Sequence, residues 1–335
     1  MHAVADMLTA VADAVLASPT ITGTASIPEP ISPIPPTPTH SPPHRGPAGP
    51  GHDVTGELIG HFAHVLAWVV FGIYALAFLG FLFSAVRKPL ATKLLPLLLL
   101  AVSIVGGTAY FSFATGLGSG FVLHAGADGV LSERQVWFGH YLAWTFTTPL
   151  LLSTLGTFAG LPPLHILLLA LAGAATEIFS AIGTAVLKRP PRLSPHHHHH
   201  HAPAGTAWAW LVFSLLPFLY IAYTLLYAGR QSASLRPSPA TRLYTLSALF
   251  QLSLFLPYPI ILVLGDYLGL LSPTAEFAIF AALDVFPQVL WGTALLLELR
   301  RHPQTDIVLP DAWLGNAAAA YAYEPVLSEE PAAAT

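Results

Sequence analysis

Seven long apolar stretches constrain the fold of this chain more than any other feature of its sequence. They lie at about residues 59–85, 94–118, 134–156, 162–187, 206–229, 241–268 and 273–300. Each is close to the roughly 20 residues that cross a hydrocarbon core of about 30 Å. Their apolar residues are continuous rather than alternating, and a backbone in lipid must satisfy its hydrogen bonds internally. The sequence therefore predicts an all-α membrane protein, a seven-transmembrane-helix bundle embedded in a lipid bilayer.

The two ends of the chain differ in composition from these stretches. Residues 1–55 are rich in proline, and residues 302–335 are rich in alanine with scattered acids. Such compositions bury too little apolar surface to fold, so we expect two disordered tails around a membrane domain at 56–301. Eight basic residues fall on the side of the C-terminus and five on the other side. The positive-inside rule then predicts an external N-terminus and a cytoplasmic C-terminus.

Composition and missing motifs exclude several classes of function. Charged residues make up 9% of the chain, against about 25% in soluble domains. The net charge of −4 gives no reason to expect a nucleic-acid partner, and the absence of cysteine rules out disulfides and thiolate chemistry. No catalytic triad, metal motif or phosphate loop is present, so an enzyme is not expected. No Asp-Arg-Tyr or Asn-Pro-x-x-Tyr sequence supports a G-protein-coupled receptor.

The seventh stretch places a carboxylate, Asp284, and a carboxamide, Gln288, one helical turn apart. A carboxylate at mid-membrane costs about 2.5–3.5 kcal/mol on insertion scales, so Asp284 should face the bundle interior and meet donors there. Tyr110 in the second stretch and Tyr258 in the sixth would supply hydroxyl groups. Pro287 cannot donate to the carbonyl of the preceding turn, which predicts a local bend beside them.

Further polar residues fall inside the third and fourth stretches. His140, Trp144 and Thr148 recur at helical spacing and form one stripe. The stripe could line a pocket, or it could be a packing seam in which threonine hydroxyls bond backbone carbonyls. Glu177 is a second intramembrane acid. It could be a hydrogen-bonded group at a helix interface, or it could take part in transport.

A run of six histidines lies between the fourth and fifth stretches: His196, His197, His198, His199, His200 and His201. Neutral imidazoles bind Zn²⁺, Ni²⁺ and Cu²⁺. The run could therefore bind such ions incidentally, as a low-complexity expansion of a loop or an engineered tag.

The polar motifs of the bundle, taken together, resemble the microbial (type I) rhodopsin family over about residues 59–300. The resemblance is carried by Tyr141-x-x-Trp144-x-x-Thr147-Thr148-Pro149, by Leu283-Asp284-Val285, and by Tyr110 and Tyr258-Pro259. It implies seven helices, an external N-terminus, and retinal held as a Schiff base by a lysine one turn after Asp284. It also implies an aromatic pocket, of which Trp144 remains, with Phe255 and Leu262 where tryptophans are common.

Several departures from that family change the expected function. The lysine position is Gln288, whose amide nitrogen cannot condense with an aldehyde as an amine does. The proton-acceptor position is Ala143, the donor position is Thr154, and the usual arginine position is His140. No covalent retinal and no other cofactor are therefore expected.

This pattern resembles the retinal-free fungal opsin-related branch, which includes heat-shock-protein-30-like proteins. That resemblance implies a plasma-membrane protein with a stress-related, chaperone-like or scaffolding role. Two alternatives stay open: a passive ion or proton conductor built on Asp284, His140 and Glu177, and a sensor that binds a retinoid or isoprenoid non-covalently. The sequence also leaves a homo-oligomer open.

Overall fold

The computed structural model describes residues 55–57, 60–125, 131–187 and 204–308. Helices α1 to α4 cover His61–Arg87, Leu94–Ala114, Phe138–Ala159 and Pro163–Leu187. Helix α5 comprises Ala204–Tyr223, the wide π-helical turn Thr224–Gly229 and Arg230–Ser234. Helix α6 comprises Ser238–Phe255, Pro257–Leu262 and the π-helical turn Val263–Tyr267. Helix α7 comprises Pro273–Val285, the π-helical turn Phe286–Leu290 and Trp291–Arg301. Short 3₁₀ turns lie at Leu90–Thr92 and Pro303–Thr305.

These seven helices confirm the predicted bundle. Six of them are long and apolar enough to cross a membrane by length and composition. Helix α3 carries His140 and several threonines, which lower its hydropathy. Successive helices from α1 to α5 pack side by side, α6 packs on α3 and α5, and α7 packs on α1, so that the bundle closes into a ring.

The two sides of each helix face different surroundings. Large apolar side chains such as Leu76, Leu142 and Leu219 are more than half exposed on the outside of the bundle. The interior holds the largest fully buried rings, among them Tyr74, Phe113 and Phe277. An apolar outer surface of this extent would aggregate in water, and it matches the lipid bilayer that the sequence predicts.

A small sheet, built from a hairpin between α2 and α3 and a strand that precedes α1, was not predicted. Strands β1 (Thr55–Glu57), β2 (Gly120–Ala125) and β3 (Leu131–Val136) pair in the order β1-β3-β2. Strand β2 is antiparallel to β3, and β1 is parallel to it. The glycines of this connection and its low hydropathy had suggested only a break between two helices. As a result, α2 ends earlier and α3 begins later than the apolar pattern indicated.

The chain that follows α7 is held against the ends of other helices. Arg236, between α5 and α6, donates to the backbone carbonyl of Thr305 at 2.7 Å and also to that of Phe158 at the end of α3. Lys88, just after α1, forms an ion pair with Asp306 at 2.5 Å. Burial lowers the pKa of Arg236, and the nearby Asp306 opposes that shift.

This contact set, which we call the C-terminal latch (Lys88, Phe158, Arg236, Thr305 and Asp306), changes one predicted boundary. The C-terminal tail was expected to begin at residue 302, but described structure continues to residue 308. The contacts responsible connect residues far apart in sequence, so composition alone did not indicate them. The remaining parts of both predicted tails lie outside the described residues.

Arg236→Gln should destabilise the protein by about 1–3 kcal/mol, because backbone carbonyls at the bundle end lose a charged donor. The measurement is thermal unfolding of the full chain in lipid nanodiscs. Arg242→Gln is the matched control, since it removes the same charge from an exposed residue early in α6. Equal effects of the two substitutions would contradict a structural role for the latch.

Candidate functional site

Helix α7 is deformed just after Asp284, at the turn that carries Gln288. Pro287 has no backbone N–H, so a regular helix cannot continue through it, and the turn Phe286–Leu290 is π-helical. The Nε2 group of Gln251 on α6 donates to the carbonyl of Pro287 at 2.9 Å, and both side chains are buried. The proline therefore produces the predicted local irregularity, and a neighbouring helix stabilises it.

Asp284 is the centre of a polar cluster drawn from four helices. The Tyr110 hydroxyl donates to its Oδ2 at 2.7 Å, and the Tyr258 hydroxyl donates to its Oδ1 at 2.8 Å. The indole Nε1 of Trp144 donates to Oδ1 at 2.8 Å as well. Asp284 is 2% exposed. The structure thus brings together the aspartate and the two tyrosines that the sequence suggested, and it adds a third donor that the sequence did not identify.

Gln288 also has a specific partner, Tyr74 of α1. The Tyr74 hydroxyl donates to Gln288 Oε1 at 2.8 Å, and both side chains are buried. The Tyr74 ring stacks on Tyr110 with centroids 5.6 Å apart. Gly106 of α2 leaves the space that this ring fills, because a Cβ atom there would collide with it. Nothing in the sequence of α1 singled out Tyr74.

His140 lies in a closed aromatic environment rather than in an open path. Its ring centroid is 4.6 Å from that of Phe113 and 5.1 Å from that of Trp144, and it stacks on Phe277 at 5.7 Å. His140 is 3% exposed, and its Nε2 has no hydrogen-bond partner among the described residues. These rings, with Trp137 against Phe113 and Phe277, form what we call the His140 aromatic cluster.

A cavity of about 60 Å³ is lined in part by Trp144 and Tyr258, two of the residues that donate to Asp284. Residues of α3 to α7 line it. Its walls include the predicted pocket residues Trp144, Thr148, Phe255, Tyr258 and Leu262, together with Glu177 and Gln288. Tyr110, His140, Ala143 and Asp284 are buried nearby but are not among the residues that line it. The stripe on α3 is therefore part packing seam and part cavity wall.

Glu177 of α4 contacts the polar stripe of α3 (His140, Trp144 and Thr148) through Thr148. The Thr148 hydroxyl donates to Glu177 Oε1 at 3.2 Å. This is the hydrogen-bonded interface group that the sequence offered as one reading of Glu177. The Thr148 hydroxyl therefore donates to a side chain of another helix and not to a carbonyl of the preceding turn. The Thr145 hydroxyl, by contrast, donates to the carbonyl of Tyr141 at 2.8 Å.

A second buried acid, Asp266, was overlooked in the sequence. The Tyr141 hydroxyl donates to Asp266 Oδ2 at 2.6 Å and lies 3.0 Å from Thr184 Oγ1. Asp266 falls within the predicted sixth stretch, so its position in an apolar span was the available signal.

The histidine run, residues 196–201, lies outside the described residues. Among residues that are described, no group of three histidines or acids could hold a metal ion.

Seven helices around a buried aspartate and an aromatic pocket define the class of this protein: a helical membrane bundle that resembles the microbial rhodopsins. Residues 61–301 match the family described as bacteriorhodopsin-like protein. The chain belongs to this family.

Relatives of the chain are found among fungi. Opsin-1 of Neurospora crassa is 26% identical over 307 residues, which cover 88% of this chain and 91% of that protein. Protein FDD123 of Trametes versicolor is 27% identical, covering 70% of this chain and 76% of that protein. The crystal structure of the light-driven proton pump LR (Mac) from Leptosphaeria maculans superposes with a TM-score of 0.65 at 22% identity, covering 75% of this chain and all of that one. At that identity the superposition shows the fold alone.

Tyr110→Phe and Tyr258→Phe should each destabilise the protein by about 1–3 kcal/mol, because each leaves the buried Asp284 with one donor fewer. Thermal unfolding in nanodiscs provides the measurement. The loss of stability in the double variant should differ from the sum of the two single losses, since the two hydroxyls share one carboxyl group. Tyr227→Phe, at a tyrosine that is 61% exposed, is the control and should be neutral. Neutral effects at Tyr110 and Tyr258 would show that the cluster does not support the fold.

Proposed function

We propose that the protein is a retinal-free, non-pumping member of its family, with a stress-related role as a chaperone-like or scaffolding membrane protein. The observation that carries this proposal is Gln288, at the position where the family resemblance places the retinal-binding lysine. Its carboxamide is hydrogen-bonded to Tyr74 inside the bundle. An amide nitrogen does not form a Schiff base, so the residue present does not fit covalent retinal.

The positions that the resemblance assigns to proton transfer also support the absence of pumping. Ala143 has no titratable group, and the Thr154 hydroxyl donates to the carbonyl of Leu150 at 2.8 Å within its own helix. Asp284 is held by three donors. No carboxylate stands at either relay position, so a proton released near Asp284 would have no acceptor at Ala143 and no replacement from Thr154.

The His140 aromatic cluster argues against the alternative of a passive conductor. A conducting path needs polar groups or water along its length, whereas His140 is enclosed by the rings of Phe113, Trp144 and Phe277. Glu177 is engaged with Thr148. These contacts favour a structural role for the intramembrane polar groups.

The cellular part of the proposal follows from the resemblance to the heat-shock-protein-30-like branch. It comprises the plasma membrane, an external N-terminus, a cytoplasmic C-terminus and a stress-related role. The C-terminal latch is consistent with a stable, closed bundle, as a scaffold requires. A homo-oligomer is compatible with this role.

Gln288→Lys should give a visible absorption band with added all-trans retinal, because it restores an amine beside Asp284 and the cavity. The unmodified protein should give no band and no borohydride-trapped adduct. Gln288→Met is the matched control, with similar length and no amine. A visible band and an adduct in the unmodified protein would overturn the proposal. Illuminated proteoliposomes of Gln288→Lys should still move no protons, since Ala143 and Thr154 are unchanged.

Deletion of the gene should sensitise its host to heat or membrane stress, and the unmodified gene should complement the deletion equally in light and in darkness. The reason is that a chromophore-independent role needs no amine at position 288. Growth after stress, in light and in darkness, is the measurement. Light-dependent complementation would contradict a retinal-free function.

A further inference from the structure

The outer surface of the bundle carries a groove between α1 and α7. Its volume is about 420 Å³, within the range of about 300–1,000 Å³ that small-molecule sites occupy. The buried side chains of Ala77, Phe81 and Leu296 form its floor, and the exposed side chains of Leu76 and Leu297 form its rim. None of its described lining residues also lines the interior cavity. The groove is therefore a separate site that opens toward the bilayer.

The groove has the length of one leaflet of a bilayer. Its lining extends from Ile73 to Ser84 on α1 and from Val289 to Arg300 on α7. At 1.5 Å per residue each wall is about 16 Å long, which is about half of a hydrocarbon core of about 30 Å. Both helices end at the same side of the bundle, as the ion pair between the segments that follow them shows. The groove thus reaches from one membrane surface to about mid-membrane, the depth that one acyl chain occupies.

A gap and an unpaired hydroxyl group lie within this groove. A Cβ atom at Gly80 would meet no other atom within 4 Å, so protein does not fill the space at that position. Ser84 also lines the groove and is 4% exposed. A helical serine commonly donates to a carbonyl of the preceding turn, as Ser103 does to Leu100 at 2.7 Å. The Ser84 hydroxyl has no hydrogen-bond partner among the described residues, so its donor remains for a ligand in the groove.

Two guanidinium groups lie at the membrane-surface end of the groove. Arg300 lines that end directly. The Arg87 guanidinium lies 4.0 Å from the centroid of the Phe83 ring, and Phe83 lines the groove as well. Both arginines are exposed. The apolar groove therefore ends in a cationic site.

The acids described near this end are bound to other cations. Glu298 pairs with Arg301 at 2.6 Å, and Asp306 pairs with Lys88 at 2.5 Å. Within the described part of the chain, neither of the two arginines at the groove has an ion-pair partner. The charge at the end of the groove is thus left for an anion from outside the protein.

We propose that this groove binds one anionic glycerophospholipid. The phosphate oxygens accept from Arg87 and Arg300, because a guanidinium presents its donors in a fork that matches phosphate. An ester carbonyl, about one helical turn deeper, accepts from the Ser84 hydroxyl. One acyl chain fills the groove past Gly80. A zwitterionic headgroup would bring its own cation toward the two arginines, so the site selects an anionic lipid.

This inference goes beyond the proposed function and does not depend on it. Its test uses the full chain in detergent micelles, titrated with palmitoyl-oleoyl phosphatidylglycerol or with phosphatidylcholine of the same acyl chains. Native mass spectrometry counts the lipids bound to each chain. We expect one phosphatidylglycerol per chain, bound roughly tenfold more tightly than phosphatidylcholine, as one charge-assisted hydrogen bond implies. Equal affinities for the two lipids would overturn the proposal.

Arg300→Gln should lower the affinity for phosphatidylglycerol roughly tenfold and leave that for phosphatidylcholine nearly unchanged. Arg301→Gln is the matched control, since it removes the same charge from the next residue, which pairs with Glu298 and is not among the residues that line the groove. Equal losses in the two variants would indicate general attraction between a basic surface and an anionic lipid, and they would contradict a site at Arg300.

Gly80→Leu should fill the groove and weaken the binding of both lipids, because the acyl chain loses its place. Gly72→Leu is the matched control: a Cβ atom there also meets no atom within 4 Å, but Gly72 does not line the groove. Thermal unfolding checks that both variants fold. Unchanged phosphatidylglycerol binding by folded Gly80→Leu would overturn the proposal.

Two further outcomes would assign the groove to a different occupant. Glycerol phosphate has the headgroup anion without acyl chains and should not displace phosphatidylglycerol at equal concentration. Displacement would show a site for a free anion and not for a lipid. A lipid-free dimer that Gly80→Leu dissociates would show that a second copy of the chain covers the groove. Either result would refute lipid binding.

Discussion

A buried carboxyl group in a membrane bundle must be surrounded by donors, because removal from water costs far more than any single hydrogen bond returns. In this protein the donors of Asp284 come from Tyr110, Trp144 and Tyr258, on α2, α3 and α6. One side chain of α7 thus fixes the rotation of three other helices about their axes. The cavity and the His140 aromatic cluster lie next to this point, so their shapes depend on the same contacts.

Helix α7 becomes irregular just after Asp284, at the turn that carries Gln288. The π-helical turn around Pro287 exposes a carbonyl that Gln251 uses, and it places Gln288 against Tyr74. The family resemblance would place a lysine amine in this region. Here an amide forms a neutral hydrogen bond instead, which satisfies the bundle interior without introducing a charge.

A second set of polar contacts, the C-terminal latch, lies at one end of the bundle, away from the interior cluster around Asp284. The C-terminal latch joins the ends of α1 and α3, the connection between α5 and α6, and the chain after α7 through Lys88 and Arg236. Donors and acceptors are therefore matched around Asp284 and in the C-terminal latch. Elsewhere in the interior, buried polar atoms such as His140 Nε2 and Trp137 Nε1 have no partner among the described residues.

The sequence by itself determined the seven helices, because a hydrocarbon core demands long apolar segments with internally bonded backbones. It also determined that Asp284 needs donors and that Gln288 cannot form a Schiff base, since both follow from the chemistry of single side chains. Tertiary structure alone decided which groups meet them. Nothing in the sequence singled out Tyr74 or Gln251, and Trp144 was expected only as a pocket residue; helix rotation and packing bring all three to α7. The sheet and the C-terminal latch were missed for the same reason: they depend on contacts between segments distant in sequence, which leave no local pattern.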